Sequence, residues 1–356
     1  MESEVDQFQK AFRRIAANVN LVIHGKADVV RMALVAVFAD GHVLFEDVPG
    51  LGKSMLARAL SNSMGALSAR VQCTPDMLPG DITGSSIIDM KTMQLQFKPG
   101  PVFTNILLVD EINRATPKTQ SALLECMAER TVSVDGKSNA LPKPFLVLAT
   151  QNPVEQAGTF PLPEAQLDRF LFKLKMGYPD EDSELLVMRG NAAGLEVDNI
   201  KAVTSAKEIT AMQQLVTHVV IPEAVERYIL QIVASTRTDP SILLGASPRA
   251  SITLSKAARV MAASDGRWTV YPEDVRALLG PVLAHRIMLS PEAVLRGESV
   301  EDVLERVTNR VRAPLGVGNA APENPGAAGS AKTGNGTPTK RPTTKRPGRR
   351  AKAAAS

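Results

Sequence analysis

The chain has 356 residues, of which 44% are hydrophobic and 22% charged, a composition typical of a globular protein with room for two domains. Its apolar runs are shorter than the ~18 residues needed to span a bilayer, and its acidic first six residues lack the blocks of a secretory signal, so we expect no membrane segment and a cytoplasmic protein. The formal net charge of +4 is uneven: residues 314–356 hold eight Lys or Arg and one acid, which leaves residues 1–313 mildly acidic.

Residues 4–40 predict two helices, because apolar side chains such as Val5, Phe8 and Phe12 recur at helical spacing. From residue 42 the pattern alternates between strand and helix. Strands are predicted over 42–46, 70–73, 106–111, 145–151 and 170–175, and helices over 54–64 and 117–130. This alternation predicts a parallel sheet covered on both faces.

Two stretches interrupt the alternation. Residues 80–103 read as a hairpin inserted into a helix, and residues 131–144, centred on Asp135-Gly136, read as a second hairpin. Ordinary surface hairpins would give the same patterns. After residue 178 the strand signal disappears, so residues 179–313 are predicted to be a helical domain. From residue 314 no apolar periodicity remains, which predicts a disordered basic tail.

A glycine-rich loop joins the first predicted strand to the following helix. Backbone N–H groups that turn from a strand into a helix N-terminus converge on one anion. Lys53 would reach the β- and γ-phosphates of a nucleotide, and the Ser54 hydroxyl would hold Mg²⁺. Asp47 stands where this motif usually has Gly, and a chance Gly-Lys-Ser turn is the alternative. The predicted nucleotide contacts are Asp47, Val48, Pro49, Gly50, Leu51, Gly52, Lys53, Ser54 and Met55.

Polar residues follow the third and fourth predicted strands. Asp110 would hold the metal ion, and Glu111 would polarise the water that attacks the γ-phosphate. Asn152 could hydrogen-bond the γ-phosphate and the same water. Acids at strand ends and Asn-Pro turns are also common without any catalytic role. The preceding phosphate loop makes the catalytic interpretation the stronger one.

Two arginines complete the candidate chemistry. Arg169, just before the last predicted strand, is suited to completing a neighbouring subunit's site as a finger in trans, although a salt bridge to Asp168 would also explain it. Arg249 begins a helix of the second domain, and it could either reach a phosphate or serve only in helix capping.

The order and the amino-acid sequences of these segments resemble those of the AAA+ ATPases, and specifically of the MoxR subfamily, over about residues 20–290. The segments that carry the resemblance are 46–54, 74–84, 110–115, 149–153, 161–172 and 245–250. It implies a P-loop αβα core (residues 1–178), a small all-α lid (179–313) and a separate tail (314–356). It also implies roles for Asn152 as sensor 1, Arg169 as arginine finger and Arg249 as sensor 2, and places Gly25 in the adenine pocket. Arg114 could share the trans role, and Arg249 could act on a neighbour's nucleotide.

The resemblance implies an ATP- and Mg²⁺-dependent homo-oligomeric ring, a hexamer, that remodels client proteins and works with von Willebrand factor A domain partners. A nucleic-acid motor is an alternative, since related ATPases act on DNA and the basic tail would bind phosphate backbones. A chelatase-type subunit that drives metal insertion is another. The client itself cannot be identified from the sequence.

Overall fold

The computed structural model describes residues 2–48, 50–91, 93–153, 158–192 and 197–314. Pro49 of the predicted phosphate loop lies outside these ranges, and so does the predicted disordered tail beyond Pro314. Everything described below belongs to one compact unit.

Helices and strands alternate through the first half of the chain, and helices dominate the second half. The first half contains α1 (Glu2–Asn20), α2 (Ala27–Phe38), β1 (Val43–Glu46), α3 (Lys53–Ser63), β2 (Ser68–Gln72), α4 (Pro79–Thr83), β3 (Gly84–Asp89), β4 (Gln94–Pro99), β5 (Ile106–Asp110), a 3₁₀ turn (Ile112–Arg114), α5 (Pro117–Glu129), β6 (Thr131–Val134), β7 (Lys137–Ala140), β8 (Leu146–Gln151), α6 (Glu164–Leu167) and β9 (Phe172–Leu174). The second half contains α7 (Glu181–Ala192), a 3₁₀ turn (Val197–Asn199), α8 (Ala206–Val216), α9 (Glu223–Ser235), β10 (Ile242–Leu244), α10 (Pro248–Ser264), α11 (Pro272–Leu283), β11 (Met288–Leu289), α12 (Pro291–Leu295) and α13 (Val300–Arg310).

Five parallel strands form the central sheet in the order β2-β5-β8-β1-β9. Successive residues of each strand point to opposite faces, and the three central strands β5, β8 and β1 are buried on both faces. Val43 and Phe45 pack into the apolar cluster formed with α1, α2 and α3, whereas Leu44 packs into the cluster that contains α5. Burial on both faces explains why these strands read as continuous apolar runs. The predicted parallel sheet is confirmed, with strand ends that differ from the prediction by one or two residues.

Both predicted hairpins are present, as β3-β4 and β6-β7, but the first is not inserted into a continuing helix. The short helix α4 ends at Thr83, Gly84 begins β3, and no further helix stands between β4 and β5. Gly84 and Gly100 pack backbone against backbone, so a Cβ at Gly100 would collide with Ile82 and Gly84. This close approach closes the base of the hairpin and leaves no room for another helical turn.

The second half of the chain is helical, as predicted, with one addition. Three residues, Ile242–Leu244, pair antiparallel with Met288–Leu289, a strand pair too short to give a periodic signal. Helix α10 packs against α1 and α2, and α11 packs against β9. Because residues 1–178 and 179–313 pack closely against each other, the predicted domain boundary at residue 178 stays a prediction. In the ranges described, no helix combines the length and the apolarity that a membrane crossing requires.

A buried histidine joins three elements at the amino end of β1. His42 Nδ1 accepts a hydrogen bond from the Val147 backbone N–H (2.9 Å), and Nε2 lies 3.1 Å from the carbonyl oxygen of Met127. The ring is therefore neutral, with its proton on Nε2, because only that tautomer can make both bonds. Burial, and next the guanidinium of Arg130, hold the pKa of His42 well below its ordinary value.

We expect the free energy of unfolding to fall as the pH is lowered below about 6.5, where unfolded histidine takes up a proton that folded His42 cannot. Each such histidine contributes a slope of at most about 1.4 kcal/mol per pH unit. Urea unfolding at several pH values measures the slope, which should decrease in His42→Gln. Equal slopes in wild type and His42→Gln would contradict this assignment.

Candidate functional site

The predicted phosphate loop connects the carboxyl end of β1 to the N-terminus of α3. Gly50 has φ 88° and Gly52 has φ 87°, the left-handed region that glycine occupies at little cost. Gly52 is also the residue that begins α3, whose first-turn N–H groups lack helical partners. This geometry places unpaired donors and the positive end of a helix at one spot, which is the arrangement that binds phosphate groups.

Lys53 is buried at the first position of α3. Its Nζ donates to the carbonyl oxygen of Val48, 2.7 Å away, on the other limb of the same loop. Burial lowers the pKa of Lys53, while the negative charges of Asp47 and Asp110 act in the opposite direction. A cation buried this way gains stability from any further anion at the loop.

Asp47 has a definite structural role in the loop. Its carboxylate accepts hydrogen bonds from the backbone N–H groups of Met176 and Gly177, just after β9. The residue that departs from the usual motif therefore ties the loop to the chain about 130 residues further on. The sequence analysis missed this role of Asp47, because no local pattern reveals a contact over such a separation.

Gly25 is brought to the same edge of the molecule. Its φ is +67°, and a Cβ there would lie 2.7 Å from Cβ of Ser183, so the chain before α2 and the start of α7 approach closely. Lys26 Nζ donates to the carbonyl oxygen of Tyr178 at 2.7 Å. The segment 176–183 thus contacts both Asp47 and the residues around Gly25, as expected of one continuous nucleotide site.

Asp110 and Glu111 lie at the carboxyl end of β5, beside the loop. Thr150, at the end of the neighbouring β8, joins them: its Oγ1 accepts from the Glu111 backbone N–H at 2.9 Å and donates to Asp110 Oδ1 at 3.3 Å. The other Asp110 oxygen pairs with Arg70 Nε at 2.8 Å. The sequence analysis missed Thr150 and Arg70, because a hydroxyl or guanidinium inside a strand carries no motif.

Glu111 adopts a left-handed backbone conformation, with φ 54°. Such a conformation is unfavourable for a residue with a side chain and persists where the surroundings impose it. The carboxylate pairs with Arg114 Nη1 at 2.9 Å. Arg114 therefore lies at the same edge of the sheet as the phosphate loop of its own chain.

Asn152 is buried immediately after β8. The strand end that carries it is fixed by polar contacts with its neighbours: Gln151 Nε2 donates to Glu46 Oε1 at 2.7 Å, and Glu46 pairs with Lys173 at 2.7 Å. These contacts connect the carboxyl ends of β8, β1 and β9. Asn152 therefore follows a strand end that lies at the same edge of the sheet as Lys53, Asp110 and Glu111.

The two remaining arginines lie at the opposite edge of the sheet. Arg169 precedes β9, and Leu171 N–H donates to the carbonyl oxygen of His42, at the amino end of β1. The phosphate loop begins at the other end of β1, five residues after His42 and therefore about 17 Å away at about 3.3 Å per residue. Arg169 is exposed and makes no ion pair with any residue that the structure describes.

Arg249 shares this opposite edge with Arg169. Its Nη1 lies 3.7 Å from Asp168 Oδ2, and its backbone N–H donates to the Ser247 hydroxyl that begins α10. Both arginines line one groove of about 400 Å³ together with Arg130, Lys256 and Arg286. Asp168 pairs with Arg286 and Arg249, not with Arg169, so the local salt bridge considered for Arg169 does not form.

The structure therefore divides the predicted site residues into two groups. Arg169 and Arg249 lie at the amino edge of the sheet. The other group lies at the carboxyl edge or in segments packed against it, and it comprises Gly25, Asp47, Val48, Gly50, Leu51, Gly52, Lys53, Ser54, Met55, Asp110, Glu111 and Asn152. Each group holds half of what phosphoryl transfer needs. The group at the carboxyl edge can bind a triphosphate and activate water, and the group at the amino edge can present positive charge to an anion that comes from outside the chain.

Comparison with known proteins identifies similar families, relatives and one solved structure. Residues 42–172 match the family described as ATPase family associated with various cellular activities (AAA), and residues 234–307 match the AAA lid domain. Chaperone MoxR1 of Mycobacterium tuberculosis is 38% identical over 310 residues, covering 85% of this chain and 82% of that protein. The uncharacterized protein YeaC of Bacillus subtilis is 48% identical, covering 84% and 93%. A crystal structure of a candidate ATPase from Cytophaga hutchinsonii superposes with a TM-score of 0.83 at 37% identity, covering 88% of this chain and 98% of that one.

We expect Thr150→Val to lower the free energy of unfolding by about 1–3 kcal/mol, because it leaves the Glu111 N–H without its buried acceptor while preserving side-chain shape. Chemical denaturation of the purified variant measures the change. Thr150→Ser retains the hydroxyl and should remain close to wild type. A valine variant as stable as the serine variant would show that the hydroxyl bridge contributes nothing.

Proposed function

The chain belongs to the MoxR-type AAA+ ATPases, and from that premise we propose that it hydrolyses ATP between the protomers of a homo-oligomeric ring, a hexamer, and so remodels client proteins. The observation that carries this proposal is the division of the site residues between opposite edges of one sheet. A complete site then needs a second copy of the chain, whose amino edge meets the carboxyl edge of the first.

At the carboxyl edge, the phosphate loop and Lys53 would hold the β- and γ-phosphates of ATP, and the segment around Gly25 would line the adenine pocket. Ser54 and Asp110 supply the hard oxygen donors that Mg²⁺ prefers. No group of three His, Cys, Asp or Glu side chains able to hold a metal is found in the described residues, so phosphate oxygens and waters would complete the metal's shell. When bound, Mg²⁺ would neutralise negative charge on the phosphate oxygens.

Hydrolysis requires that a water oxygen attack the γ-phosphorus while the bond to the ADP oxygen breaks. Glu111 would take the proton of that water as general base, and the Asn152 amide would orient the water and the γ-phosphate. In the structure Arg114 holds the Glu111 carboxylate at 2.9 Å. This pairing favours a role for Arg114 in positioning Glu111 of its own chain over a role in trans.

Arg169, and with it Arg249, would contact the nucleotide of the neighbouring protomer. Neither can reach the phosphate loop of its own chain, because the length of β1 separates them from it. A guanidinium supplied in trans stabilises the charge of the transition state and contributes about 10³–10⁵ to the rate. Because the neighbour supplies that group, loss of the γ-phosphate changes the contacts at the interface, and this couples hydrolysis to subunit movement.

For the client, we propose proteins that include von Willebrand factor A domain partners. Support comes from membership of a family in which a relative is named a chaperone. The nucleic-acid alternative rests on the basic tail, which lies outside the described residues, and the acidic balance of residues 1–313 argues against a DNA-binding surface on the remainder. A chelatase-type role would require a dedicated partner.

We expect Lys53→Ala to lose nucleotide binding, whereas Arg169→Ala binds ATP normally and loses at least about 10³-fold in turnover. Fluorescent-nucleotide titration and steady-state ATPase assays separate the two effects. Mixing the two inactive variants should restore about one quarter of wild-type activity, since a random ring pairs an intact loop with an intact finger at that fraction of its interfaces.

Arg227→Ala is the matched control, because Arg227 is an exposed arginine whose ion pair, within the described part of the chain, is with Glu223 on α9. It should leave turnover unchanged. Full ATPase activity in Arg169→Ala, or in a strictly monomeric wild-type protein, would reject the trans mechanism.

We expect a purified von Willebrand factor A domain client to change the ATPase rate, whereas duplex DNA at about 150 mM salt does not, because screening weakens the contribution of a basic tail. The assay is repeated on a chain ending at Ala313 and with Glu111→Gln, which should bind ATP, turn over slowly and retain the client. DNA stimulation that survives the truncation would overturn the protein-client assignment.

A further inference from the structure

A buried guanidinium connects the lid to the segment that carries Arg169. Arg286 follows α11, and its side chain is 2% exposed. It donates to the carbonyl oxygens of Asp168 at 3.1 Å, Phe170 at 2.6 Å and Leu171 at 3.3 Å. These three acceptors lie in residues 168–171, on either side of Arg169, and the guanidinium also donates to the carbonyl oxygen of Val282 in α11.

The same guanidinium pairs with a carboxylate that also contacts Arg249. Arg286 Nε donates to Asp168 Oδ1 at 2.7 Å. The other oxygen, Oδ2, accepts from the Ser247 hydroxyl at 3.2 Å and lies 3.7 Å from Arg249 Nη1. Asp168 therefore contacts Arg286, the start of α10 and Arg249.

Residues 168–171 lie between α6 and β9 and have little regular structure of their own. Backbone carbonyls in such a segment need partners, and an unpaired buried one is costly. Arg286 provides those partners in a fixed planar fork, which a lysine could not do. His285 lies beside the guanidinium, with its Nε2 2.7 Å from Arg286 Nη1 and 3.3 Å from the carbonyl oxygen of Phe170.

We propose that Arg286 is a positioning residue for catalysis in trans: it holds Asp168 and the carbonyls of residues 168–171, and so orients Arg169 and Arg249 toward the nucleotide of the neighbouring protomer. This inference rests on the proposed function. It makes the lid part of the finger's support, so that the orientation of the lid sets the orientation of the finger. Arg286 lies behind the finger and contacts no phosphate itself.

The first test is Arg286→Lys, which keeps the positive charge but lacks the planar guanidinium and its several N–H donors. We expect kcat to fall about 10–100-fold, as a misplacement of about 1 Å would cause, while ATP affinity measured by titration stays within about twofold. Asp168→Asn, which keeps the side-chain shape, should reproduce the split between kcat and affinity if the lysine variant folds poorly.

Arg267→Lys is the matched control. Arg267 pairs with Asp274 at the opposite end of α11, at 2.6 Å, and has no contact with residues 168–171. It should retain wild-type turnover. Wild-type turnover in both Arg286→Lys and Asp168→Asn, or an equal loss of ATP affinity and turnover, would overturn the inference.

The second test distinguishes a misplaced Arg169 from structural damage to the phosphate loop of the same variant. Arg286→Lys mixed with Lys53→Ala should recover about one quarter of wild-type activity, since the Lys53→Ala protomer supplies an intact finger to the intact loop of its neighbour. Structural damage to the phosphate loop would give no recovery.

The mixture of Arg169→Ala with Lys53→Ala serves as reference. Recovery in the reference alone would reject the role of Arg286 and leave the proposed function standing. Recovery in neither mixture would reject the trans mechanism itself.

Discussion

The direction of the five parallel strands is the constraint on which the rest of the structure depends. Loops that leave the carboxyl ends of parallel strands collect at one edge, and here they bring together the phosphate loop, Asp110, Glu111 and Asn152. The same geometry sends whatever precedes a strand to the other edge, where Arg169 lies. In our proposal a single chain therefore cannot assemble both halves at one nucleotide, and association of protomers is a condition of catalysis.

Charged groups at both edges are held by long-range pairing. Asp47 binds the backbone after β9, and Arg286 binds the backbone before β9, so the short strand Phe172–Leu174 is fixed at both ends by residues from distant parts of the chain. Burial of such charges is tolerated because each has partners with suitable geometry. The proposed phosphate site and the proposed finger are thus connected through one rigid strand, which offers a route by which events at one interface affect the next.

Much of the fold could be predicted because its signals are local. Apolar runs of four and five residues predicted β5 and β8, and helical periodicity predicted α1 and α2. The prediction of a hairpin inside a continuing helix was wrong, since the backbone contact between Gly84 and Gly100 that ends the helix is not visible in either segment alone. The strand pair β10-β11 was missed because two or three residues cannot show a period.

The sequence by itself determined which residues carry the candidate chemistry, because a Gly-rich loop with Lys53, paired carboxylates after an apolar strand and isolated arginines are local patterns with a local chemical meaning. Tertiary structure alone decided how they group: that Arg114 faces Glu111, that Arg169 and Arg249 lie at the far edge, and that Asp47, Thr150 and Arg286 support them. The physical reason is that these supporting contacts join residues up to about 130 positions apart, and hydrogen bonds over such separations exist only once the sheet has set strand order and direction.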